Sequence, residues 1–196
     1  NMKAINYARI AAAIENYKMM GYEYIETPWL VKESTVRITL PVESRAHKTN
    51  IDYKCLVGSG EQSFLEIKNQ LCPSKKYQTV TPCFRDEKYD ELHLPWFIKL
   101  ELIYVLWKDE NANAILNQVT NDAQKVLRTM SGVNTLVKTE DGFDINVAGI
   151  EVGSYGIRSH HEFKWVYGTG IAEPRMSQAI ARSEEIIDKQ NKDLMQ

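Results

Sequence analysis

The fold of this chain is decided by its central stretch, residues 77–107, which reads YQTVTPCFRDEKYDELHLPWFIKLELIYVLW. The segment Tyr77–Phe84 is rich in β-branched and aromatic residues, and Phe97–Trp107 is strongly apolar. Such runs are typical of β-strands. Between them lies a polar loop, Arg85–Leu94, which exceeds the about two to five residues usual in hairpins. We therefore predict a long antiparallel hairpin whose connecting loop carries function.

Helix and strand patterns flank this hairpin on both sides. Apolar residues recur at helical spacing from Ala4 to Met20, Gly21 supplies a stop signal, and Tyr22–Thr27 has a strand pattern. Further patterns predict a strand at 53–57, helices at 61–70 and 112–130, strands within 135–147 and at 150–157, and a terminal helix at 176–189. Residues 165–167 are expected to lead into a glycine-rich turn. These elements predict one α+β domain over residues 1–196, an antiparallel β-sheet flanked by helices.

Composition and charge narrow the class of protein. The 196 residues carry a net charge of −2, with 43% hydrophobic and 26% charged residues, which is ordinary for a soluble globular protein. No strong basic excess marks a nucleic-acid-binding protein. No apolar run approaches the about 18 residues of a membrane span and no signal peptide is visible, so we expect a cytoplasmic protein. Cys55, Cys72 and Cys83 lack zinc-site spacing and are odd in number, which indicates free thiols.

The hairpin loop carries the residue types of a nucleotide site. Arg85 at its mouth could fork onto a phosphate group. Glu87 could accept the amino group of a purine, and Phe97 could stack on the base. His93 lies across the same loop. A surface Arg–Glu pair beside a core phenylalanine would give the same composition, so both interpretations stand at this point.

A glycine-rich stretch, Gly168-Thr169-Gly170-Ile171-Ala172-Glu173-Pro174-Arg175, precedes the terminal helix. Glycine lets a backbone approach another group closely, and the free N–H groups of a helix start favour anions. Arg175 could neutralise a phosphate there. The stretch lacks the Gly-Lys-Ser/Thr ending of a Walker loop. A tight strand-to-helix connection would give the same residues.

Two glutamates complete the candidate constellations. Glu151 lies in the predicted strand region, where a carboxylate directed into an ATP site could hold Mg²⁺ beside the phosphates. Strand alternation places Glu151 on the face opposite Ser154. Glu61 directly follows the turn Gly58-Ser59-Gly60 and could pair with a substrate ammonium group. An exposed strand glutamate and a carboxylate serving the helix macrodipole are the plainer alternatives.

The order and spacing of these stretches resemble the catalytic core of class II aminoacyl-tRNA synthetases, over about residues 4–185. The first helix with Gly21–Pro28 resembles motif 1, at about 4–28. The hairpin, at about 77–106, resembles motif 2, and the stretch at about 165–189 resembles motif 3, with Pro174 in place of the family's common glutamate. Gly58–Ser63 resembles the loop with which several members of the Ser/Pro/Thr/Gly/His subclass read the substrate amino group.

The resemblance implies that the chain forms an aminoacyl-adenylate from an amino acid and ATP, with Mg²⁺ as the cofactor. Its catalytic residues would be Arg85, on the α-phosphate and carboxylate, and Arg175, on the adenine or the γ-phosphate. The implied ATP-binding residues are Arg85, Glu87, His93, Phe97, Glu151, Gly168, Gly170 and Arg175, with Glu151 holding Mg²⁺ through ATP. The implied substrate-binding residues are Glu61, Glu101, Ser154 and Arg158. No protein nucleophile is needed, since the substrate carboxylate attacks the α-phosphorus directly and catalysis is positioning and electrostatics.

Partners and alternatives also follow from the resemblance. Motif 1 implies a homodimer through residues 4–28. The acceptor of the activated amino acid is open between tRNA, a carrier protein and a small molecule. Only 21 residues follow Arg175, so we expect a minimal core without an anticodon-binding domain, which disfavours tRNA. The alternatives are a catalytically inactive paralogue acting as a regulatory or binding subunit and a ligand-free dimerisation module. The retained set of site residues favours the enzyme.

Overall fold

The computed structural model describes residues 4–86 and 89–194. In chain order its elements are α1 (Tyr7–Met19), β1 (Glu23–Tyr24), β2 (Leu30–Val31), α2 (Glu33–Val36), β3 (His47–Lys48), β4 (Cys55–Leu56), α3 (Gly60–Glu66), β5 (Lys75–Phe84), β6 (Trp96–Val105), α4 (Ala112–Ser131), β7 (Thr135–Lys138), β8 (Gly142–Val147), β9 (Ile150–His160), β10 (Phe163–Glu173) and α5 (Arg175–Leu194). A short 3₁₀ turn, Lys68–Gln70, follows α3. Among these helices, none is long and apolar enough to cross a bilayer.

Seven strands form the main sheet, in the order β1-β5-β6-β10-β9-β8-β7. β1 pairs parallel with β5, and the other neighbours pair antiparallel. β5 and β6 pair from Lys75 opposite Val105 to Phe84 opposite Trp96, so the predicted long hairpin is confirmed. The predicted α+β class, an antiparallel sheet flanked by helices, is confirmed as well.

The helices α1, α4 and α5 cover one face of this sheet. Tyr17 from α1, Val119 from α4 and Met176 from α5 are buried in one cluster with Leu100 and Tyr155 of the sheet. Each large apolar side chain buried in this way contributes about 1.5–3 kcal/mol relative to leaving it exposed. The packed helix layer stabilises the sheet, which can then support side chains in fixed positions on its opposite face.

The opposite face is only partly covered. Phe64 of α3 packs with Ile103 and Trp165 of the sheet in a second apolar cluster. A small antiparallel sheet of order β2-β4-β3 lies beside α3, which contacts both β2 and α2. The part of the face that these elements leave open forms a cavity, and the candidate site lies there.

The structure corrects the expected glycine-rich turn. Gly168 and Gly170 lie inside β10, which continues as a strand to Glu173. A Cβ on Gly168 would lie 2.4 Å from the Tyr155 ring, and one on Gly170 would lie 2.1 Å from the Leu100 side chain. The two glycines therefore admit bulky core side chains against the strand. The predicted strand at 22–27 is also shorter than expected, since β1 has only two residues.

Candidate active site

A cavity of about 420 Å³ lies on the open face of the sheet, bounded by the β5–β6 loop, α3, β9, β10 and the start of α5. Eight of the residues selected from the sequence line it: Glu61, Arg85, His93, Phe97, Glu151, Ser154, Arg158 and Arg175. Lys99, Tyr167 and Thr169 also line the cavity, although none of them was among the site residues selected from the sequence. The fold thus brings motif 2, motif 3, β9 and the Gly58–Ser63 loop to one space, whereas motif 1 is not part of the described lining.

Arg85 lies at the mouth of the hairpin, on the cavity wall. Its Nε donates a 3.2 Å hydrogen bond to the Gly58 carbonyl, which joins the hairpin to the turn before α3. Its guanidinium carbon lies 5.2 Å from the centre of the Phe97 ring, within the range of a cation–π contact. Glu87, the expected adenine partner, lies outside the described residues.

Asp90 holds His93 at the edge of the cavity. The Asp90 carboxylate accepts hydrogen bonds from the backbone N–H groups of Leu92 and His93, at 2.7 and 2.8 Å. Its Oδ2 lies 2.8 Å from His93 Nδ1. The bond with the His93 side chain and then these backbone bonds lower the pKa of Asp90 to about 2. A local turn thus orients the imidazole, and its key residue, Asp90, was missed because an Asp in a polar loop carries no distinctive signal.

The first turn of α5 is hydrogen-bonded to the same loop. Arg175 Nη2 donates to the Leu92 carbonyl at 2.8 Å, and Gln178 Nε2 donates to the Glu91 carbonyl at 2.6 Å. These two bonds join segments more than eighty residues apart. Arg175 therefore lines the cavity while it also ties α5 to the hairpin loop.

At the other end of the cavity, Glu61 is buried and both of its oxygens are engaged. Trp165 Nε1 donates to Oε1 at 2.7 Å. Arg158 Nη1 donates a short bond to Oε2 and forms an ion pair with it. The Arg158 guanidinium also stacks 4.1 Å from the centre of the Tyr167 ring. A ligand ammonium that is to reach Glu61 must therefore compete with Arg158.

Glu101 lies below the cavity floor and is not one of the residues that line it. Gly60 at the start of α3 packs directly on it, since a Cβ there would lie 2.7 Å from the Glu101 Cβ. Lys99 Nζ lies 2.9 Å from Glu101 Oε2 as an ion pair. Neither Glu101 oxygen accepts a well-directed hydrogen bond from any described residue. Burial raises the pKa of Glu101; Lys99 opposes this shift and the charge of Glu61 adds to it.

Replacing Glu101 with glutamine is expected to stabilise the protein at neutral pH. A carboxyl whose pKa is raised on folding binds its proton more tightly in the folded state, so its ionisation lowers the free energy of unfolding as pH rises. Glutamine resembles the protonated form, so the gain should be largest at neutral pH and vanish below about pH 4, where the wild-type group is protonated in both states. Urea unfolding of both proteins from pH 4 to 8 measures the difference. Glu162→Gln, at the exposed β9–β10 turn, is the control, and a pH-independent difference for Glu101→Gln would contradict the expectation.

Glu151 and Ser154 both line the cavity, which corrects the strand alternation expected from the sequence. The pairing register between β8 and β9 shifts at Ile145 and Asn146, so a bulge resets the alternation between the two positions. Glu151 is exposed at the cavity mouth, yet its pKa is raised by desolvation and by the nearby charge of Asp144, while Arg175, Lys99 and Arg85 oppose the shift. Asp144 pairs with Ser154 across β8 and β9 and was not selected from the sequence.

Metal ligands are sparse at this mouth. Among the described residues, no group of three or more His, Cys, Asp or Glu side chains could hold a metal ion. Glu151 lines the cavity and the charge of Asp144, which is not in the lining, reaches it, so these two carboxylates could hold a cation whose other ligands come from a nucleotide and water, as Mg²⁺ is usually bound. Gly168 and Gly170, expected to bind ATP, do not line the cavity because their missing side chains face the helix layer.

Comparisons with known proteins bear on the family and the fold of the chain. Residues 2–145 match the family described as tRNA synthetases class II (D, K and N). No curated protein sequence matches the chain. Pyrrolysyl-tRNA synthetase from Desulfitobacterium hafniense is similar in structure, with a TM-score of 0.68 and 15% identity over 91% of this chain and 69% of that one.

Two seryl enzymes are also similar in structure. Seryl-tRNA synthetase from Pyrococcus horikoshii, complexed with ATP, has a TM-score of 0.72 and 17% identity over 89% of this chain and 49% of that one. Cytoplasmic serine-tRNA ligase from Naegleria fowleri, in complex with AMP, has a TM-score of 0.68 and 14% identity over 89% of this chain and 52% of that one. The chain thus spans between about half and about two thirds of these structures. At these identities the likeness establishes the fold.

Proposed function

The chain belongs to the class II tRNA synthetases, and from this premise we propose that it activates an amino acid with ATP and Mg²⁺ as an aminoacyl-adenylate. The observation that carries the proposal is the convergence of Arg85, His93 and Arg175 at one end of a single cavity that has Glu61 at its other end. Positive groups at one end suit a triphosphate, and a carboxylate at the other suits an ammonium group.

The ATP half of the site is proposed to lie between the hairpin loop and the start of α5. Arg85 would fork onto the α-phosphate, and Arg175 and His93 would bind the outer phosphates. Phe97 would carry the adenine on its ring and Glu87 would accept the adenine amino group. The hydrogen bonds of Asp90 to the His93 backbone N–H and to its Nδ1 favour this arrangement. They fix the imidazole at the cavity before any ligand binds, so it is ready to bind a phosphate.

Glu151 is proposed to hold Mg²⁺ on the nucleotide, with Asp144 as its neighbour. Desolvation and, after it, the charge of Asp144 raise the pKa of Glu151, and a divalent cation would relieve the repulsion between the two carboxylates. The ion would offset phosphate charge that develops on the leaving pyrophosphate.

The amino acid is proposed to bind between Glu61 and the phosphate end. Its ammonium group would share Glu61 with Trp165, while the Arg158 guanidinium yields its place and stays stacked on Tyr167. Arg158 can move in this way because 40% of its side chain is exposed. Ser154 lines the same end of the cavity and would contact the substrate, and the charge of Glu101 below the floor favours the ammonium.

The proposed reaction is an in-line displacement at the α-phosphorus. A carboxylate oxygen of the amino acid forms a bond to phosphorus, the bond to the bridging oxygen of pyrophosphate breaks, and pyrophosphate leaves with the electron pair. No proton transfer to a protein group is required. The residues would therefore act by holding the two reactants in line and by stabilising the charge on the pentacoordinate phosphoryl group.

Isotope exchange between pyrophosphate and ATP tests the proposal. The protein is incubated with ATP, Mg²⁺ and labelled pyrophosphate, with each of the twenty amino acids in turn, and label is expected in ATP with at least one of them. ATP binding is measured in parallel by calorimetry. Binding without exchange would indicate the alternative function, an inactive paralogue serving as a regulatory or binding subunit. Neither binding nor exchange would overturn the enzymatic proposal.

The acceptor and the assembly are further parts of the proposal. Charging of tRNA, a carrier protein and small amines, tested after exchange is found, separates the three acceptor classes. A cytoplasmic location, where ATP and free amino acids meet, belongs to the same proposal.

A homodimer through residues 4–28 is expected at micromolar concentration. Tyr7 and Met19 on α1 expose 66% and 79% of their surfaces. Burial of such apolar groups against a second copy of the chain lowers the free energy and so stabilises a dimer. Light scattering measures the mass, and Met19→Glu should shift the protein toward monomer. A wild-type monomer at that concentration would contradict the expectation.

A further inference from the structure

Glu173, at the end of β10, is a fully buried carboxylate that stands apart from the lining of the cavity. Its Oε1 accepts a 2.6 Å bond from Arg9 Nη1 on α1. Its Oε2 accepts a 2.7 Å bond from the Ser177 hydroxyl and a 3.3 Å bond from the Ser177 backbone N–H. A charge that is buried to this extent is tolerated only when it is paired and hydrogen-bonded, so the group is held firmly by these three donors.

Arg9 joins two elements at this point. The same Nη1 that binds Glu173 also donates to the Ser177 hydroxyl at 2.8 Å. Glu173 ends β10 and Ser177 lies in the first turn of α5, so one guanidinium from α1 bridges the junction of strand and helix. The partners are 164 and 168 residues away from Arg9 along the chain.

The junction of β10 and α5 determines the position of Arg175. Arg175 follows Glu173 by two residues and begins α5. The opposite side of that first helical turn is tied to the hairpin loop, through Arg175 to the Leu92 carbonyl and through Gln178 to the Glu91 carbonyl. The start of α5 is therefore fixed between Arg9 on the core side and the loop on the cavity side, with no other described side chain bonded to Glu173.

We infer that Arg9 is a positioning residue for the nucleotide, acting through Glu173 and Ser177 to aim Arg175 into the cavity. The inference rests on the proposed function. It goes beyond that function because Arg9 lies on the opposite side of the sheet junction and touches neither proposed substrate. Misplacement of a binding group by about 1 Å is enough to change rates up to about a hundredfold.

The test separates a positioning role from a merely structural one by its effect on the two Michaelis constants. Arg9→Met is expected to raise KM for ATP about tenfold in pyrophosphate exchange and to leave KM for the amino acid unchanged, because Arg175 serves only the phosphate end. Arg9→Lys keeps the charge but loses part of the guanidinium contact and should recover part of the wild-type KM. Loss of folded protein alone would lower apparent kcat and move neither KM.

A double-mutant cycle then asks whether Arg9 acts through Arg175. The double variant Arg9→Met/Arg175→Ala should have the same KM for ATP as Arg175→Ala alone. If Arg9 acts only by positioning Arg175, removing it has no effect once the Arg175 side chain is gone. Lys18→Met, on the same helix and in an exposed pair with Glu15, is the matched control and should match wild type. Ser177→Ala, which removes one hydroxyl from the junction, replaces Arg9→Met if that variant does not fold.

The outcomes are distinct. A tenfold rise in KM for ATP with an unchanged amino acid KM and a non-additive cycle supports the inference. Unchanged KM values, or effects of Arg9→Met and Arg175→Ala that add, overturn it while exchange by wild type leaves the proposed function standing. Absence of exchange by the wild-type protein overturns the proposed function and this inference with it.

Discussion

Replacing Arg85 with alanine is expected to lower kcat/KM for pyrophosphate exchange by about a thousandfold. Loss of a single donor that stabilises developing charge costs about 10²–10³ in rate, and Arg85 is proposed to contact both the α-phosphate and the substrate carboxylate. The fold should tolerate the change, since the contacts of Arg85 to Gly58 and Phe97 lie at the rim of the cavity. Steady-state exchange at varied ATP measures the effect, and thermal unfolding confirms that the variant is folded.

Two further variants sharpen this prediction. Arg85→Lys keeps the positive charge and loses the two-pronged geometry, so it should remain well below wild type. Arg45→Ala removes another arginine close to the same loop, one that is 90% exposed and lies 4.0 Å from Asp86, and it should leave exchange unchanged. Activity of Arg85→Ala within about tenfold of wild type would exclude Arg85 from the role proposed for it.

Replacing Glu61 with alanine is expected to lower the free energy of unfolding by about 3 kcal/mol, the largest stability effect among the site residues. The change leaves the Trp165 N–H buried without its partner and deprives Arg158 of its counter-ion. Because the Arg158 side chain is 40% exposed and can be rehydrated, we take the lower end of the range for broken buried pairs. For a protein of this size the melting temperature should fall by about 6–12 °C.

The loss of stability at position 61 should depend on which group replaces the carboxylate. Glu61→Gln retains an oxygen for Trp165 and loses only the charge, so its loss of stability should be about half as large. Glu15→Ala breaks an exposed ion pair with Lys18 and should change the free energy of unfolding by less than about 0.5 kcal/mol. Urea unfolding of the three variants gives the comparison, and equal stability of Glu61→Ala and Glu15→Ala would show that the buried pair does not support the fold.

Several parts of the structure are determined by the sequence alone because their causes are local. The hairpin follows from two apolar, β-prone runs around a polar loop, and these became β5 and β6. The helix predicted at 112–130 is α4, since its apolar spacing has the helical period. The order of the motifs likewise indicated the family, and eight of the residues selected with it, Arg85 and Phe97 among them, line the cavity, whereas Glu101, Gly168 and Gly170 do not.

Other features were decided only by tertiary structure, because they depend on strand register and on contacts between distant segments. Alternation placed Ser154 and Glu151 on opposite faces, and one bulge put both into the cavity. Composition cannot show that Glu61 meets Arg158 and Trp165, which lie 97 and 104 residues along the chain. Periodicity in a sequence reports which face of an element is buried, whereas the partner of each buried charge is set by how the elements pack.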